Sequence, residues 1–210
     1  MLAYVRDPAE IYRQSFAAIR REAALEGLPE DIVPLALRLI HACGMPDILT
    51  DLVFSPDVVT SARKAVGAGC AILCDTAMTA AGIMRRHLPA GCELLVGTDD
   101  PSTGEKAAEI GNTRSAAAVD LWGERLDGAV VAIGNAPTAL FRLVERIDLD
   151  GYRPAAILAF PVGFVGAAES KALLIEAGLG IPFVALRGRR GGSALAAAAV
   201  NALMLPAPEA

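Results

Sequence analysis

Five apolar runs of strand length recur along the chain, and each is followed by a segment with helical periodicity. The runs are nearly continuous rather than alternating, which is typical of strands in a sheet that is covered on both faces. Alternation of such strands with helices indicates parallel pairing through right-handed crossovers. The sequence therefore predicts an α/β fold, a three-layer sandwich around a largely parallel sheet of about five strands. The predicted strands are CAILCD at 70–75, ELLVGT at 93–98, AVVAIG at 129–134, AAILAF at 155–160 and PFVALRG at 182–188.

Length and composition limit the classes of protein to consider. A chain of 210 residues with 54% hydrophobic and 20% charged residues is typical of a globular protein, and we expect a single domain over residues 1–210. The formal net charge of −5 argues against a surface that grips nucleic acid. The longest apolar run, at 193–205, is shorter than the roughly 18 residues of a membrane span. With no signal-peptide pattern at the start, we expect a cytoplasmic protein.

The four cysteines give little sign of metal or disulfide chemistry. Cys43, Cys70, Cys74 and Cys92 lack the paired two-residue spacing of a zinc site, and an intracellular chain of this size needs no disulfides. A zinc site built on His41 and Cys43 would still lack two ligands. We therefore expect core cysteines and no bound metal.

Two helices are predicted ahead of the sheet. The first covers residues 7–27, with Asp7 as its N-cap and Pro8 at its first position. Ser15 lies beside the apolar stripe of this helix, one turn from Tyr12. The stripe consists of Tyr12, Phe16, Ile19 and Ala23.

The second helix covers residues 29–44 and ends with one of the two histidines of the chain. Gly44 supplies the left-handed stop, and His41 lies off the apolar stripe on the same flank as Arg38. The helix C-terminus favours a cationic imidazole, so we expect the pKa of His41 to be raised above about 6.5. Such a histidine is either a proton donor or only a helix-capping residue.

Glycine and arginine are concentrated in the loops that follow the predicted strands, where parallel sheets bind ligands. The segment RGRRGGS at 187–193 leads into a helix and is suited to a carboxylate or phosphate, although a solvated turn explains it as well. The segment GFVGAAESK at 163–171 is a loose glycine-rich loop without Walker or dinucleotide spacing.

Eight longer motifs, taken together and in order, resemble the precorrin-8x methylmutase family of cobalamin biosynthesis. The resemblance runs from about Tyr12 to Ala194. It implies an isomerase that moves a methyl group from ring carbon 11 to ring carbon 12 of a tetrapyrrole, giving hydrogenobyrinic acid without an external cofactor. The motifs are IYRQSF, IHACG, FSPD, ILCD, AEIGNTRSAAA, VVAIGNAPTALF, PAAILAFPVGFVGAAESK and RGRRGGSA.

The resemblance also implies roles for individual residues. His41 takes the place of the catalytic histidine that exchanges a proton with the macrocycle, and Ser15 that of a substrate-contacting serine. The two N-terminal helices would then cover the site with Tyr12, Ser15 and His41, and Arg114 would bind a substrate carboxylate. A homodimer is implied as well. Further candidates for substrate binding are Asn135, Gly163, Gly166, Arg187 and Arg189.

Three alternatives remain open at this point. The substrate could carry cobalt, as in the anaerobic branch of the pathway, because both branches use related mutases. A non-catalytic tetrapyrrole carrier would keep Arg114 and the glycine loops but would have no use for His41. A nucleotide-binding α/β enzyme would use 163–171 or 187–193 as its phosphate cradle.

Overall fold

The computed structural model describes Leu2 and residues 4–208, which form one six-stranded sheet with helices on both faces. The strands are β1 Leu52–Phe54, β2 Ile72–Cys74, β3 Leu94–Val96, β4 Val130–Ile133, β5 Ala156–Ala159 and β6 Phe183–Leu186. The helices are α1 Pro8–Glu22, α2 Val33–Cys43, α3 Val58–Gly67, α4 Ala77–Ala81, α5 Thr103–Glu109, α6 Arg114–Trp122, α7 Pro137–Asp150, α8 Ala167–Glu176 and α9 Ser193–Met204.

The sheet has the strand order β1-β6-β5-β4-β2-β3, and β2 to β6 are parallel to one another. All five predicted strands form within their predicted ranges, which confirms the α/β class. The predicted count of about five strands is one too low, because β1 pairs antiparallel with β6 at the sheet edge. This strand has three residues and directly follows a short 3-10 helix, Pro46–Asp51, so it carries no recognisable strand pattern of its own.

Two hydrophobic clusters, one on each face of the sheet, make up the core. Successive strand residues point to opposite faces, so that Val130 packs into one cluster and Val131 into the other. The first cluster contains the inner faces of α1, α2, α3 and α9, and the second those of α6, α7 and α8. The three-layer sandwich is therefore confirmed.

The two N-terminal helices form inside their predicted ranges but are shorter: α1 ends at Glu22 rather than Gly27, and α2 begins at Val33 rather than Pro29. The Asp7 carboxylate accepts hydrogen bonds from the Ala9 amide (2.8 Å) and the Glu10 amide (3.2 Å), which caps α1. Phe16 of α1 is fully buried. Gly44 ends α2 with a φ of 69°, a left-handed conformation that glycine adopts without strain.

The loops that follow the five parallel strands meet along one edge of the sheet, which we call the carboxyl edge. Because β1 is antiparallel, its first residue Leu52 pairs with Leu186, the last residue of β6. The short connection from α2 to β1 therefore brings the end of α2 to this edge. In the described part of the chain, no helix is long and apolar enough to cross a membrane.

Candidate functional site

Helices α1 and α2 bring three of the predicted site residues together. Ser15 Oγ lies 2.9 Å from His41 Nδ1, in hydrogen-bonding range. The His41 ring stacks on Phe16 with a centroid distance of 4.7 Å and an interplanar angle of 19°. Tyr12 approaches the imidazole with its ring edge, at a centroid distance of 5.8 Å. The histidine is thus held on one side by α1, while its other side remains exposed.

The Ser15 contact decides which imidazole nitrogen is available for chemistry. Since Nδ1 is engaged by the serine hydroxyl, Nε2 is the nitrogen left to meet a ligand. If the hydroxyl donates to Nδ1, the neutral ring carries its proton on Nε2 and can present it outward. Ser15 therefore helps to set the orientation of the His41 ring.

The expectation that the helix C-terminus raises the pKa of His41 is wrong. Partial burial against α1 lowers the pKa below its ordinary value, and the positive charge of Arg38 lowers it further. These two effects outweigh the helix dipole, which acts weakly on an exposed side chain. His41 in the ligand-free protein therefore holds its second proton less firmly than an ordinary histidine.

A recess of about 310 Å³ opens beside His41. Its walls come from the first turns of α9, with Ala194 and Ala197, and from the end of α4, with Gly82 and Met84. The small side chains of α9 leave an apolar floor next to the imidazole. A flat apolar ligand face can therefore pack on this floor beside His41.

A buried carboxylate organises the loop that carries Asn135. Asp75, which follows β2, accepts hydrogen bonds from the amides of Gly134 (3.1 Å), Asn135 (2.7 Å) and Ala136 (2.8 Å). It also accepts one from the Thr79 hydroxyl at 2.9 Å. An internal anion thus already occupies the backbone donors ahead of α7, and this loop has no free cradle for a phosphate. The Asn135 side chain remains exposed at the carboxyl edge.

The same network reaches the recess at His41. Thr79 Oγ1 lies 3.1 Å from the Oγ of Ser193, and the next residue, Ala194, lines the recess. Gly134 allows this packing, because a Cβ there would come within 2.7 Å of both Ser193 Cα and Thr79 Oγ1. The Asn135 loop and the His41 recess are therefore joined through the start of α9.

Arg114 is the first residue of α6 and is exposed. Its Nη2 donates to the Thr98 carbonyl at 3.2 Å, and it takes part in none of the ion pairs of the described residues. The preceding residue, Thr113, caps α6 and lies 2.7 Å, hydroxyl to hydroxyl, from Thr138 on α7. Arg114 therefore lies at the same edge as the Asn135 loop and can pair with an incoming anion.

A buried lysine forms hydrogen bonds to both the glycine-rich loop before α8 and the arginine-rich loop before α9. Lys171 on α8 is fully buried, and its Nζ donates to the Pro161 carbonyl (3.0 Å) and the Arg190 carbonyl (2.7 Å). Burial lowers the pKa of Lys171 to about 8. The Gly163 amide adds a third link by donating to the Arg189 carbonyl at 3.2 Å. The two loops therefore form one rigid unit.

The three arginines of the RGRRGGS segment differ in what they can bind. Arg190 forms ion pairs with Asp47 and Asp51, each at 2.6 Å, so its charge is already neutralised. Arg187 and Arg189 are exposed. The predicted anion receptor is thus reduced to these two side chains.

Gly166 is the N-cap residue of α8 and has a left-handed conformation with a φ of 79°. It packs against Pro137 at the start of α7, which places the glycine-rich loop beside the Asn135 loop. Between the two glycines of the loop, Phe164 is 84% exposed, with the Arg189 guanidinium 5.3 Å from the centre of its ring.

The predicted residues therefore follow the carboxyl edge rather than forming one contact cluster. Ser15, Tyr12 and His41 lie at one end, in direct contact. Arg114 and Asn135 lie at the starts of α6 and α7. Gly163 and Gly166 lie in the loop that leads into α8, and Arg187 and Arg189 lie in the loop that leads into α9. Within Leu2 and residues 4–208, no three His, Cys, Asp or Glu side chains are grouped as a metal site would require.

Three residues important for this geometry were missed by sequence reasoning: Arg38, Asp75 and Lys171. Asp75 directly follows an apolar strand, and a carboxylate at that place was a usable signal. Arg38 and Lys171 had no such signal, because long cationic side chains are nearly always exposed.

Comparisons with known proteins show which family the chain belongs to. A sequence model described as precorrin-8X methylmutase matches residues 10–205. A precorrin-8X methylmutase of Pseudomonas aeruginosa is 56% identical over 97% of this chain and 98% of its own, and a cobalt-precorrin-8 methylmutase of Salmonella typhimurium is 39% identical over 99% of each. The crystal structure of a precorrin-8x methyl mutase from Thermus thermophilus superposes with a TM-score of 0.84, at 38% identity, over 93% of this chain and 94% of that one. The chain belongs to the precorrin-8X methylmutase family.

Proposed function

We propose that this protein is an isomerase that moves the methyl group of precorrin-8x from ring carbon 11 to ring carbon 12, giving hydrogenobyrinic acid in cobalamin biosynthesis. The observation that carries the proposal is the 56% identity to a precorrin-8X methylmutase over 97% of the chain. The methyl group stays within one molecule, so the reaction needs no external cofactor. The family match over residues 10–205 also supports a single domain.

The cobalt-free substrate is favoured over its cobalt-containing counterpart. Identity is 56% to the relative named for precorrin-8X and 39% to the relative named for cobalt-precorrin-8.

His41 is the residue that we assign to proton exchange with the macrocycle. His41 lines the recess, while Ser15 engages its Nδ1 and the Phe16 ring stacks on the imidazole, which leaves Nε2 for a ligand. A proton given to the macrocycle draws electron density into the ring and weakens the bond to the migrating methyl group. General acid catalysis requires this imidazole, held by Ser15 and Phe16, to come within hydrogen-bond reach of the macrocycle when the substrate binds.

The carboxyl edge suits the outer rim of a tetrapyrrole with many carboxylates. Arg114, Arg187 and Arg189 are exposed there, and guanidinium groups bind carboxylates with two parallel hydrogen bonds. Asn135 and the Gly163–Gly166 loop contribute polar backbone and side-chain groups between them. Tyr12 and Ser15 would cover the opposite face.

Arg114 provides a test of this rim. We expect Arg114→Ala to raise the Kd of hydrogenobyrinic acid roughly 10- to 30-fold, or about 1.4–2 kcal/mol, because one charge-assisted pair is lost. Titration by fluorescence or calorimetry at low salt measures the change. Arg153→Ala is the matched control, since Arg153 is an exposed arginine on the approach to β5 at the opposite edge of the sheet. Equal affinities for the Arg114 and Arg153 variants would exclude Arg114 from the site.

Exposed apolar side chains and the net charge bear on assembly and location. Apolar side chains are exposed along and ahead of α1, among them Tyr4, Ile11 and Tyr12, and a second copy of the chain would cover them. We therefore propose a homodimer. The net charge of −5 supports the proposal that the protein binds neither nucleic acid nor membranes. We propose a cytoplasmic location, which fits a biosynthetic enzyme without such partners.

Mixing the purified protein with precorrin-8x and recording the absorption spectrum separates the candidate functions. A mutase converts an excess of substrate to the product spectrum. A tetrapyrrole carrier gives a stoichiometric shift without turnover. A nucleotide-binding enzyme gives no change.

A further inference from the structure

Arg38 is a buried arginine one turn before His41 on α2, and it is 8% exposed. Its Nη1 donates to the Tyr12 hydroxyl at 2.9 Å, and its Nη2 donates to the Pro206 carbonyl at 2.9 Å. The guanidinium carbon lies 5.9 Å from the centre of the Phe16 ring, the same ring that stacks on His41. Arg38 therefore contacts both aromatic rings that surround the imidazole.

We propose that Arg38 is a positioning residue of this site, a fixed cation that holds Tyr12 and Phe16 against His41 with the help of the C-terminal tail. This inference rests on the proposed role of His41. Arg38 acts through its neighbours and needs no contact with the reacting atoms.

The C-terminal tail, residues 205–208, completes the seat of Arg38. Pro206 accepts the bond from Arg38, and Pro208 accepts one from Arg20 Nη2 at 2.9 Å. Between this tail and α1 lies a cavity of about 630 Å³, with Arg38 and Tyr12 in its wall. Arg38 also lines the recess at His41, so it separates the two spaces. The C-terminal tail thus fixes the side chain of Arg38, which reaches the recess at His41.

The charge of Arg38 is balanced only by dipoles. Its hydrogen-bond partners are a phenol and a carbonyl, and it belongs to no ion pair among the described residues. Burial of a cation without an acidic partner costs free energy. A side chain that only filled space at this position would not need a charge. The uncompensated charge acts on His41, whose pKa it lowers in addition to the effect of burial.

Few other ionisable groups face His41. From α1 the titratable neighbour is Tyr12, and from α2 it is Arg38. The walls of the recess that come from α9 and from the end of α4 contribute Ala194, Ala197 and Met84, none of which titrates. A change in the pKa of His41 on substitution of Arg38 can therefore be attributed to Arg38.

The test is a pH titration of the two histidine ring signals by NMR in the ligand-free protein. Arg38→Met removes the charge but keeps an unbranched side chain, and Arg38→Lys keeps the charge. Arg20→Met is the matched control, because it removes an equivalent bond to the tail without changing charge beside Tyr12. His87 is the internal reference, and the signal lost in His41→Asn identifies His41.

We expect the pKa of His41 to rise in Arg38→Met, to stay low in Arg38→Lys and to remain unchanged in Arg20→Met, with His87 constant throughout. In Arg38→Met, the pH at which the single-turnover rate is half-maximal should rise together with the pKa of His41. The single-turnover rate below that pH should fall about 10-fold relative to the wild type, because Tyr12 loses its hydrogen bond to Arg38. An unchanged His41 pKa in Arg38→Met overturns the inference. If the His41 pKa rises and His41→Asn still turns over normally, the proposed role of His41 fails instead.

Discussion

Replacing His41 with asparagine should lower the single-turnover rate of precorrin-8x conversion by at least roughly 100-fold, the typical effect of losing a positioned acid. The asparagine amide can still meet Ser15 but cannot exchange a proton at neutral pH. Substrate binding should persist, because the recess and the arginines at the carboxyl edge are unchanged. Absorption measurements with enzyme in excess are required, since slow product release would hide the effect in steady-state rates.

His87→Asn is the matched control for this variant. His87 lies in a short 3-10 helix, Arg85–His87, and its Nε2 accepts a hydrogen bond from Arg86. It should leave the rate unchanged. If His41 only caps α2, His41→Asn should instead cost a few tenths of a kcal/mol to about 1 kcal/mol in stability and retain normal turnover. A His41→Asn protein with the wild-type single-turnover rate would contradict the catalytic assignment.

Asp75→Asn should destabilise the fold by about 3 kcal/mol, because a buried carboxylate that accepts four hydrogen bonds loses its charge and one acceptor oxygen. The new amide group would face backbone N–H donors. For a chain of this length the melting temperature should fall by roughly 6–12 °C. Denaturant titration followed by circular dichroism measures the free energy of unfolding directly.

Asp127→Asn is a suitable comparison, since Asp127 accepts one hydrogen bond from the Arg153 amide in an exposed position. We expect a loss below about 1 kcal/mol there. Equal losses for the two variants would mean that Asp75 does not organise the loop between Gly134 and Ala136.

The parallel part of the fold could be predicted because its signal is local. Strands β4 and β5 are buried on both faces, so their apolar runs are continuous in the sequence. Strand β1 could not be found in this way, because three residues show no periodicity and their strand conformation depends on pairing with β6.

The site was predictable to the extent that it depends on helix ends and motifs. The resemblance pointed to His41 and Ser15, and the fold places these two side chains 2.9 Å apart. The pKa of His41 was predicted in the wrong direction, because the helix dipole is visible in a sequence whereas burial against Phe16 is not. Arg38 is buried by a tail 168 residues further along the chain, a contact that no local pattern indicates.

The fate of the migrating methyl group tests the central claim most directly. Precorrin-8x labelled with ¹³C at the methyl group of ring carbon 11 is converted by the protein in the presence of unlabelled S-adenosylmethionine, and the product is analysed by NMR. An intramolecular rearrangement predicts hydrogenobyrinic acid with the full label on the methyl group of ring carbon 12. Loss of label from that position, through exchange with the methyl donor, would contradict the account.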